Sequence, residues 1–167
     1  MIDKSNWPPG EWMNEPDEVR WVDEESGLEC IINRNTGLGI LCGYVWIKKG
    51  HPYYKEEYEE LNKLGNIKVH GDLTFSRSGR DLDTWLLGFD CGHDSDIIPL
   101  ELRNPIEADL SKRFGNEVEC DSVSYKNIEF LKNECRSLAR QLKSIEKQYN
   151  AMIALLEEDA THHDNDA

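Results

Sequence analysis

The chain has 167 residues, of which 38% are hydrophobic, and its formal net charge is −14. That length suits one domain, and this hydrophobic content allows a packed core. The excess of 33 acidic over 19 basic residues excludes a protein that coats nucleic acid through its phosphates or docks on an anionic membrane surface.

The first segment, residues 1–26, is rich in proline, tryptophan and acidic residues. Prolines exclude a regular helix or a central strand there. Tryptophans, in contrast, are costly to leave in water because each carries a large apolar area. We predict an irregular arm that lies on the domain and places its tryptophans in surface grooves. These are Trp7, Trp12 and Trp21.

Residues 27–122 have the pattern of a small α+β core domain. Short apolar runs bounded by turn residues predict two pairs of antiparallel strands. The predicted strands are Leu28–Arg34, Gly39–Lys48, Ile67–Ser76 and Thr84–Cys91. Between the pairs, Tyr54–Gly65 has the three-to-four spacing of a short helix with Gly65 as its stop. The rest of this range, from Asp94, is predicted to be loop.

Residues 123–158 form the clearest pattern in the chain, a long helix capped by Ser124. Its apolar positions alternate steps of three and four, which is a heptad pattern. They are Ile128, Leu131, Cys135, Leu138, Leu142, Ile145, Tyr149, Met152 and Leu156. At about 1.5 Å per residue this helix is on the order of 50 Å long, whereas a compact domain of this size spans roughly 40 Å. We therefore expect it to overhang the domain and to form a coiled-coil homodimer through Ile128–Leu156. The alternative is a helix that lies wholly on its own sheet.

The remaining residues, 159–167, are polar and acidic, and we expect them to be disordered. His162 and His163 in this tail lack a rigid scaffold, so a solvated end is favoured over a metal site. Cysteine usage is consistent with a reduced compartment, because the five cysteines form no CxxC pair. No secretory signal and no membrane span of about 18 apolar residues is expected either, and we predict a cytoplasmic protein.

Two of the predicted strands end in polar residues that could carry chemistry. His70 and Thr74 belong to one segment, and Asp90, His93 and Asp96 follow the next. If these strands pair antiparallel, the start of one lies near the end of the other. His70, Asp90, His93 and Asp96 would then form a ligand set for Zn²⁺ or Mn²⁺, or a general acid and base for phosphoester chemistry.

A purely structural arrangement is the alternative for these groups. The aspartates could cap turns and accept backbone amides, and His70 could donate to a buried carbonyl or to Asp90. In the loop between the strands, Arg77 and Arg80 could hold a phosphate of a ligand or keep the loop soluble. Trp85 is expected to pack in the core, with stacking on a ligand as the less favoured role. The role of His51 stays open.

The order of several strings resembles a family of small uncharacterised proteins found in bacteriophages and bacterial genomes. The strings are GEWMNEPDEVRWVDEESGLEC, LCGYVWIKKGHPYY, VHGDLTFS, WLLGFDCGHDSD and YKNIEFLKNECRSLARQL. The family pattern runs NEPD, LCGYV, GHPxY, VHGGLTY, WxGFDCAHxGDxxP and ECxxLAxQL, and the resemblance covers Trp7 to Leu142. The matching polar positions are Asp17, His51, His70, Thr74, Asp90, His93 and Asp96. The chain departs from the pattern at Asp72, where the family has glycine, and at Asp94 and Ser95.

The resemblance implies a phage or prophage origin in the host cytoplasm but no reaction. Our first functional hypothesis is a non-catalytic accessory protein, for example one acting against host defence. It would sequester a small polar or nucleotide-like ligand, or a host protein. The second hypothesis is a metal-dependent phosphoesterase or nuclease, and the third is an acidic mimic of DNA. Direct binding of nucleic acid is not expected.

Overall fold

A computed structural model describes residues 2–79, 81, 83–102 and 123–163. The fold is α+β, as the sequence predicts: one five-stranded antiparallel sheet, a short helix and a long C-terminal helix. The strands are β1 (Glu18–Val22), β2 (Glu29–Arg34), β3 (Leu41–Lys48), β4 (Phe75–Ser78) and β5 (Thr84–Asp90), and the helices are α1 (Tyr58–Leu64) and α2 (Ile128–His163). Two short 3-10 helices, Glu11–Met13 and Pro99–Glu101, complete the described elements. Arg80 and most of the predicted loop after Leu102 lie outside the described residues.

The sheet has the order β1-β2-β3-β5-β4, with every neighbouring pair antiparallel. Its central strands β2, β3 and β5 are rich in β-branched and aromatic residues, which favour a pleated, buried surface. The interior is formed where one face of these strands meets α2. Ile32, Val45, Leu87 and Leu138 are fully shielded from solvent there.

The predicted irregular arm over residues 1–26 is wrong in its second half. Residues 18–22 form edge strand β1, because alternation of half-buried and exposed residues there lets one face pack on the core. Trp21 belongs to this strand and is half-buried. Trp12 is buried in the 3-10 helix, where its indole nitrogen donates to the Pro8 carbonyl (2.8 Å) and its ring packs edge-on against Tyr125.

The arm is held by the buried guanidinium of Arg34 on β2. Arg34 Nη2 donates to Glu15 (2.8 Å), its Nε donates to Asp17 (3.1 Å), and Nη1 donates to the Gly39 carbonyl and to the Tyr125 hydroxyl, both at 2.9 Å. The Tyr125 hydroxyl in turn donates to Glu15 (2.5 Å). The motif position Asp17 therefore has a structural role, joining the N-terminal segment to the sheet beside α2.

The predicted strand Ile67–Ser76 is wrong over residues 67–74, since only Phe75–Ser78 pair with β5. For the residues before Phe75, side chains provide the backbone hydrogen bonds that a neighbouring strand would otherwise make. Gln141 on α2 donates to the Lys68 carbonyl and accepts from its amide, both at 2.8 Å. Glu134 accepts from the His70 amide (2.8 Å), and Asn62 on α1 bonds both backbone groups of Leu73. Because side chains satisfy these backbone groups, the segment does not need to pair with a neighbouring strand.

Helix α2 begins and ends five residues later than the predicted range 123–158. Asn127 caps it, because the Asn127 side chain accepts from the Phe130 amide (3.0 Å). Ser124, the predicted cap, instead forms a parallel bridge with Asp96. The helix continues to His163, so residues 159–163 are helical where a disordered tail was predicted.

The heptad stripe of α2 divides into a buried and an exposed part. Ile128 to Leu142 pack on the sheet, and Ile145 borders this core. Beyond it, Tyr149, Met152 and Leu156 are 38%, 52% and 59% exposed. The distal part of the helix thus extends past the sheet, as its predicted length required. Within the described residues, no helix combines the length and apolarity needed to cross a membrane.

Candidate functional site

The sequence motifs that carry His70 and His93 bring both rings to one buried carboxylate, that of Asp96. His70 Nε2 lies 2.8 Å from Asp96 Oδ2 and 3.0 Å from Oδ1, and His93 Nδ1 lies 3.2 Å from Oδ2. The two rings meet edge-on with centroids 5.1 Å apart. One donor atom from each of the three residues falls within 4.8 Å of the others, so the group could hold a metal ion. We call these residues the His–Asp–His centre.

Local turns position each of the three residues. His70 precedes Gly71 and Asp72, which both adopt positive φ (+64° and +65°) and reverse the chain. Asp96 ends a turn in which its amide donates to the His93 carbonyl (2.8 Å), while its carboxylate accepts the His93 amide (3.1 Å). These bonds within the turn place His93 and Asp96 on the same side of the loop.

Gly71 is required for a second reason, which is the close approach of His93. A Cβ atom at position 71 would lie 2.0 Å from Cε1 and 2.1 Å from Nε2 of the His93 ring. Ordinary contacts between such atoms are about 3.5–4.0 Å. The glycine therefore allows the ring to lie against the backbone next to His70.

Solvent reaches the centre from the imidazole side only. The side chains of His70 and His93 are 17% and 31% exposed, whereas that of Asp96 is fully shielded. Burial raises the pKa of the Asp96 carboxyl, but hydrogen bonds from His70 and from the His93 amide outweigh it and hold the pKa below its usual value. Asp96 is consequently a carboxylate anion at neutral pH, oriented by both histidines.

Helix α2 closes the other side of the centre. Phe130 packs edge-on against His70, with centroids 5.3 Å apart. Lys126, just before the helix, has its Nζ 3.8 Å from Asp96 Oδ1 and donates to the Ser124 hydroxyl (2.8 Å). Asp96 Oδ2 thus contacts both histidines, and Oδ1 lies between His70 and the lysine.

The other predicted site residues do not join the centre. Asp90 ends β5, where its Oδ1 accepts the Gly92 amide (3.0 Å), and it is not one of the three residues able to hold an ion. This is the turn-capping role weighed as an alternative. The Thr74 amide donates to the Gly88 carbonyl (2.9 Å) at the start of β4.

Arg77 and Trp85 lie at the opposite end of the β4–β5 hairpin, which corrects their assignment to the ligand site. Arg77 is opposite Leu86, and Trp85 is opposite Ser78, next to the connecting loop. Five residues of strand separate Trp85 from Asp90, which is about 17 Å at about 3.3 Å per residue. Trp85 is a core residue, as expected, and its indole donates to the Glu56 carbonyl (3.0 Å). Arg80 lies outside the described residues.

His51, whose role the sequence left open, is a structural residue. Its Nε2 lies 3.0 Å from the Leu142 carbonyl on α2, and its Nδ1 accepts the Tyr53 amide (3.0 Å). These partners define a neutral ring with the proton on Nε2. Burial lowers the pKa of His51 and favours that neutral form.

Sequence reasoning missed Lys126, Phe130, Glu134 and Gly71 as parts of the site. Phe130 and Glu134 are four residues apart beside the buried stripe, so they share one flank of α2. The signal in the sequence that could have indicated them is an aromatic and an acidic residue four positions apart beside the heptad stripe. Comparison with family models, with curated proteins and with solved structures finds no match to this chain.

Proposed function

We propose that this chain is a phage-type binding protein whose His–Asp–His centre holds a divalent transition-metal ion, Zn²⁺ or Mn²⁺. Through the open positions of that ion, it would hold a small polar or nucleotide-like ligand in the host cytoplasm, where sequestering such a ligand would counter host defence. The observation that supports this proposal is the convergence of two partly exposed imidazoles on one buried carboxylate.

The spacing of the donor atoms fits such an ion. Zn²⁺ binds His nitrogen and carboxylate oxygen at about 2.0–2.2 Å in a tetrahedron, so neighbouring ligand atoms lie about 3.3–3.5 Å apart. The two ring nitrogens are already 2.8 and 3.2 Å from Asp96 Oδ2. Moving the ring protons of His70 and His93 to their other nitrogens would free both lone pairs for the ion.

Three protein ligands leave at least one coordination position for a ligand oxygen or water. Lys126 adds a positive charge to the centre, since its Nζ is 3.8 Å from Asp96 Oδ1. An ion and a lysine together could attract a phosphate or carboxylate group despite the acidic charge of the whole chain. This is why we favour an anionic or strongly polar ligand.

Metal titration of the purified, metal-stripped chain tests the proposal. Calorimetry with Zn²⁺ and with Mn²⁺ should show one site per chain that is lost in the double variant His70→Ala, His93→Ala. The matched control is His162→Ala, His163→Ala, which removes two histidines from the C-terminal end and should keep the site. Absence of binding, or equal loss in both double variants, contradicts the proposal.

A metal-dependent phosphoesterase or nuclease is the second candidate, because three protein ligands with an open position is the pattern of catalytic zinc sites. The binder is favoured because two carboxylates that could serve as a general base, those of Asp90 and Glu134, have structural partners. Asp90 accepts the Gly92 amide and Glu134 accepts the His70 amide. Thermal shift with a nucleotide panel, followed by chromatography of the nucleotide, separates the two. Stabilisation with intact nucleotide supports the binder, and hydrolysis that His93→Ala abolishes supports the enzyme.

We also propose that the distal part of α2 pairs with a second copy, as the heptad pattern predicts. Tyr149, Met152 and Leu156 continue the buried stripe and are exposed, so they are an unpaired coiled-coil seam. Light scattering should show a dimer that Met152→Glu with Leu156→Glu dissociates. The control, Asn150→Glu with Ala154→Glu, adds the same charge on the opposite side of the helix. A monomeric parent chain at tens of micromolar contradicts this proposal.

A further inference from the structure

The free edge of the sheet and the neighbouring flank of α2 form a second concave surface. A cavity of about 460 Å³ lies between them. It is lined by Val19, Trp21, Val22, Asp23 and Glu24 from β1 and the following turn, and by Lys132, Arg136 and Arg140 from α2. We call it the β1–α2 groove. It is on the opposite flank of the helix from Phe130 and Glu134, because a two-residue step on a helix is a rotation of about 200°.

Two residues of strand β1, Arg20 and Val22, have backbone groups on the outer edge of the sheet that lack a partner among the described residues. The Asp23 amide donates to the Leu28 carbonyl and the Arg34 amide donates to the Asp17 carbonyl, so odd-numbered residues bond to β2. In an antiparallel ladder the alternate residues then point their N–H and C=O groups away. Arg20 and Val22 are such residues, and in the described part of the chain their backbone groups have no other partner. An edge of this kind can accept a further strand.

The helix side of the groove carries positive charge with a matching repeat. Helix α2 runs alongside β1, since the Ile128 amide contacts Glu15 before the strand and Arg140 contacts Asp23 after it. Lys132, Arg136 and Arg140 recur every four residues, about 6.0 Å along the helix. Alternate side chains of a strand recur at about 6.6–6.8 Å. Acidic side chains at alternate positions of an added strand would therefore meet these cations in register.

The middle cation is the one available for a partner. Lys132 is paired with Glu129 (2.6 Å), and Arg140 with Glu25 (3.0 Å) and Asp23 (3.6 Å). Arg136 only donates to the Asn133 amide oxygen (3.3 Å), and no described carboxylate lies within ion-pair distance of it. Cations outnumber carboxylates in the lining by three to two, in a chain whose acidic residues outnumber its basic ones.

Trp21 provides an independent observation on the same wall. Its indole nitrogen is buried and is the single buried side-chain nitrogen or oxygen atom without a hydrogen-bond partner in the described part of the chain. A buried donor left unpaired costs about 1–3 kcal/mol, so native structures usually supply an acceptor. A carbonyl or carboxylate of an occupant of the groove, reached by a small rotation of the ring, would be that acceptor.

We propose that the β1–α2 groove binds an extended acidic peptide segment of a partner protein by strand addition to β1. Backbone hydrogen bonds to Arg20 and Val22 would give affinity, and an acidic side chain on Arg136 would give selectivity. The site is separate from the His–Asp–His centre, so a metal chelator leaves this binding unchanged.

Fluorescence anisotropy with labelled octapeptides tests the proposal. A peptide that alternates Glu and Val should bind at least tenfold more tightly than one that alternates Lys and Val. Arg136→Gln should weaken binding of the acidic peptide at least fivefold, whereas Lys147→Gln, which removes an exposed cation elsewhere on α2, should not. Equal affinities for the two peptides, or no binding of either up to 1 mM, overturn the proposal.

A second pair of variants tests strand addition itself. Arg20→Pro removes the outward N–H at a position where an edge strand tolerates proline, and Arg20→Ala removes the same side chain but keeps the N–H. Binding should fall at least tenfold only in Arg20→Pro, with unchanged circular dichroism. Equal binding by both variants overturns strand addition. Tripolyphosphate tests the alternative that the groove binds phosphate anions. If it binds, if Arg136→Gln weakens that binding and if Arg20→Pro leaves it unchanged, the groove is a phosphate site and the peptide proposal is overturned.

Discussion

Comparison of Gly71→Ala with Gly65→Ala should distinguish two costs at position 71. One is the cost of placing a side chain on a left-handed backbone, and the other is the cost of displacing the His93 ring. Gly71 has φ +64°, and an added Cβ would lie 2.0 Å from His93 Cε1. Gly65, the residue that ends α1, has φ +66° with no atom within 4 Å of its added Cβ. Both substitutions cost about 1–2 kcal/mol for the left-handed backbone, and only Gly71→Ala also displaces the ring.

The displacement can be estimated from the same contact. Restoring an ordinary separation of about 3.5 Å moves the His93 ring by about 1.5 Å. Overpacking of this kind costs about 1–3 kcal/mol, so urea unfolding should show Gly71→Ala less stable than Gly65→Ala by that amount. Metal–ligand distances tolerate about 0.2 Å, and we therefore expect Zn²⁺ affinity to fall at least tenfold in Gly71→Ala alone. Equal stability of the two variants together with unchanged Zn²⁺ affinity would refute the reasoning.

Three further predictions concern the scaffold. Arg34→Met should lower the free energy of unfolding in urea by about 3–5 kcal/mol because it leaves Glu15 and Asp17 without their buried cation. Tyr125→Phe should lower it by about 1–3 kcal/mol. A loss below about 1 kcal/mol in both variants contradicts a stabilising role for this network. The pKa of His51 is lower in the folded chain than in the unfolded chain. As pH drops from 7 to 5 the unfolded chain therefore takes up a proton at His51 that the folded chain does not, and stability falls. His51→Gln should flatten this dependence in thermal melts, and an unchanged slope argues against it. Burial raises the pKa of Cys30 to about 12 and of Cys42 to about 11, and Cys91 and Cys135 are buried too. Ellman's reagent should then label at most one of the five thiols of the native chain quickly, and two or more fast thiols would contradict this.

The elements that follow a strict period were predictable from sequence. Each end of β2, β3, β5 and both helices lies within five residues of its predicted position, because alternation and the three-to-four spacing reflect burial directly. Asp72 illustrates the same point for a turn. It occupies a positive φ (+65°), a conformation that aspartate tolerates better than most residues.

The error over residues 67–74 has a clear physical cause, which is satisfaction of the backbone by distant side chains. Residues 67–74 have strand-like composition, but Gln141 and Glu134 provide the hydrogen bonds that a neighbouring strand would have provided. Arg77 and Trp85 were grouped with His70 on proximity in sequence, whereas the hairpin register carries them to its far end. Asp96, predicted as one of two aspartates, became the shared partner of both histidines because the turn after His93 folds back on itself.

Reliance on α2 side chains also fixes when the His–Asp–His centre can form. The backbone of Lys68 and His70 is held by residues more than 60 positions further along the chain. Until the last third of the polypeptide has been synthesised and has docked on the sheet, the backbone of Lys68 and His70 lacks these partners. A nascent or C-terminally truncated chain would therefore carry both histidines yet lack the backbone contacts that hold His70 in place. If the centre binds an ion as proposed, ion capture would report that folding is complete.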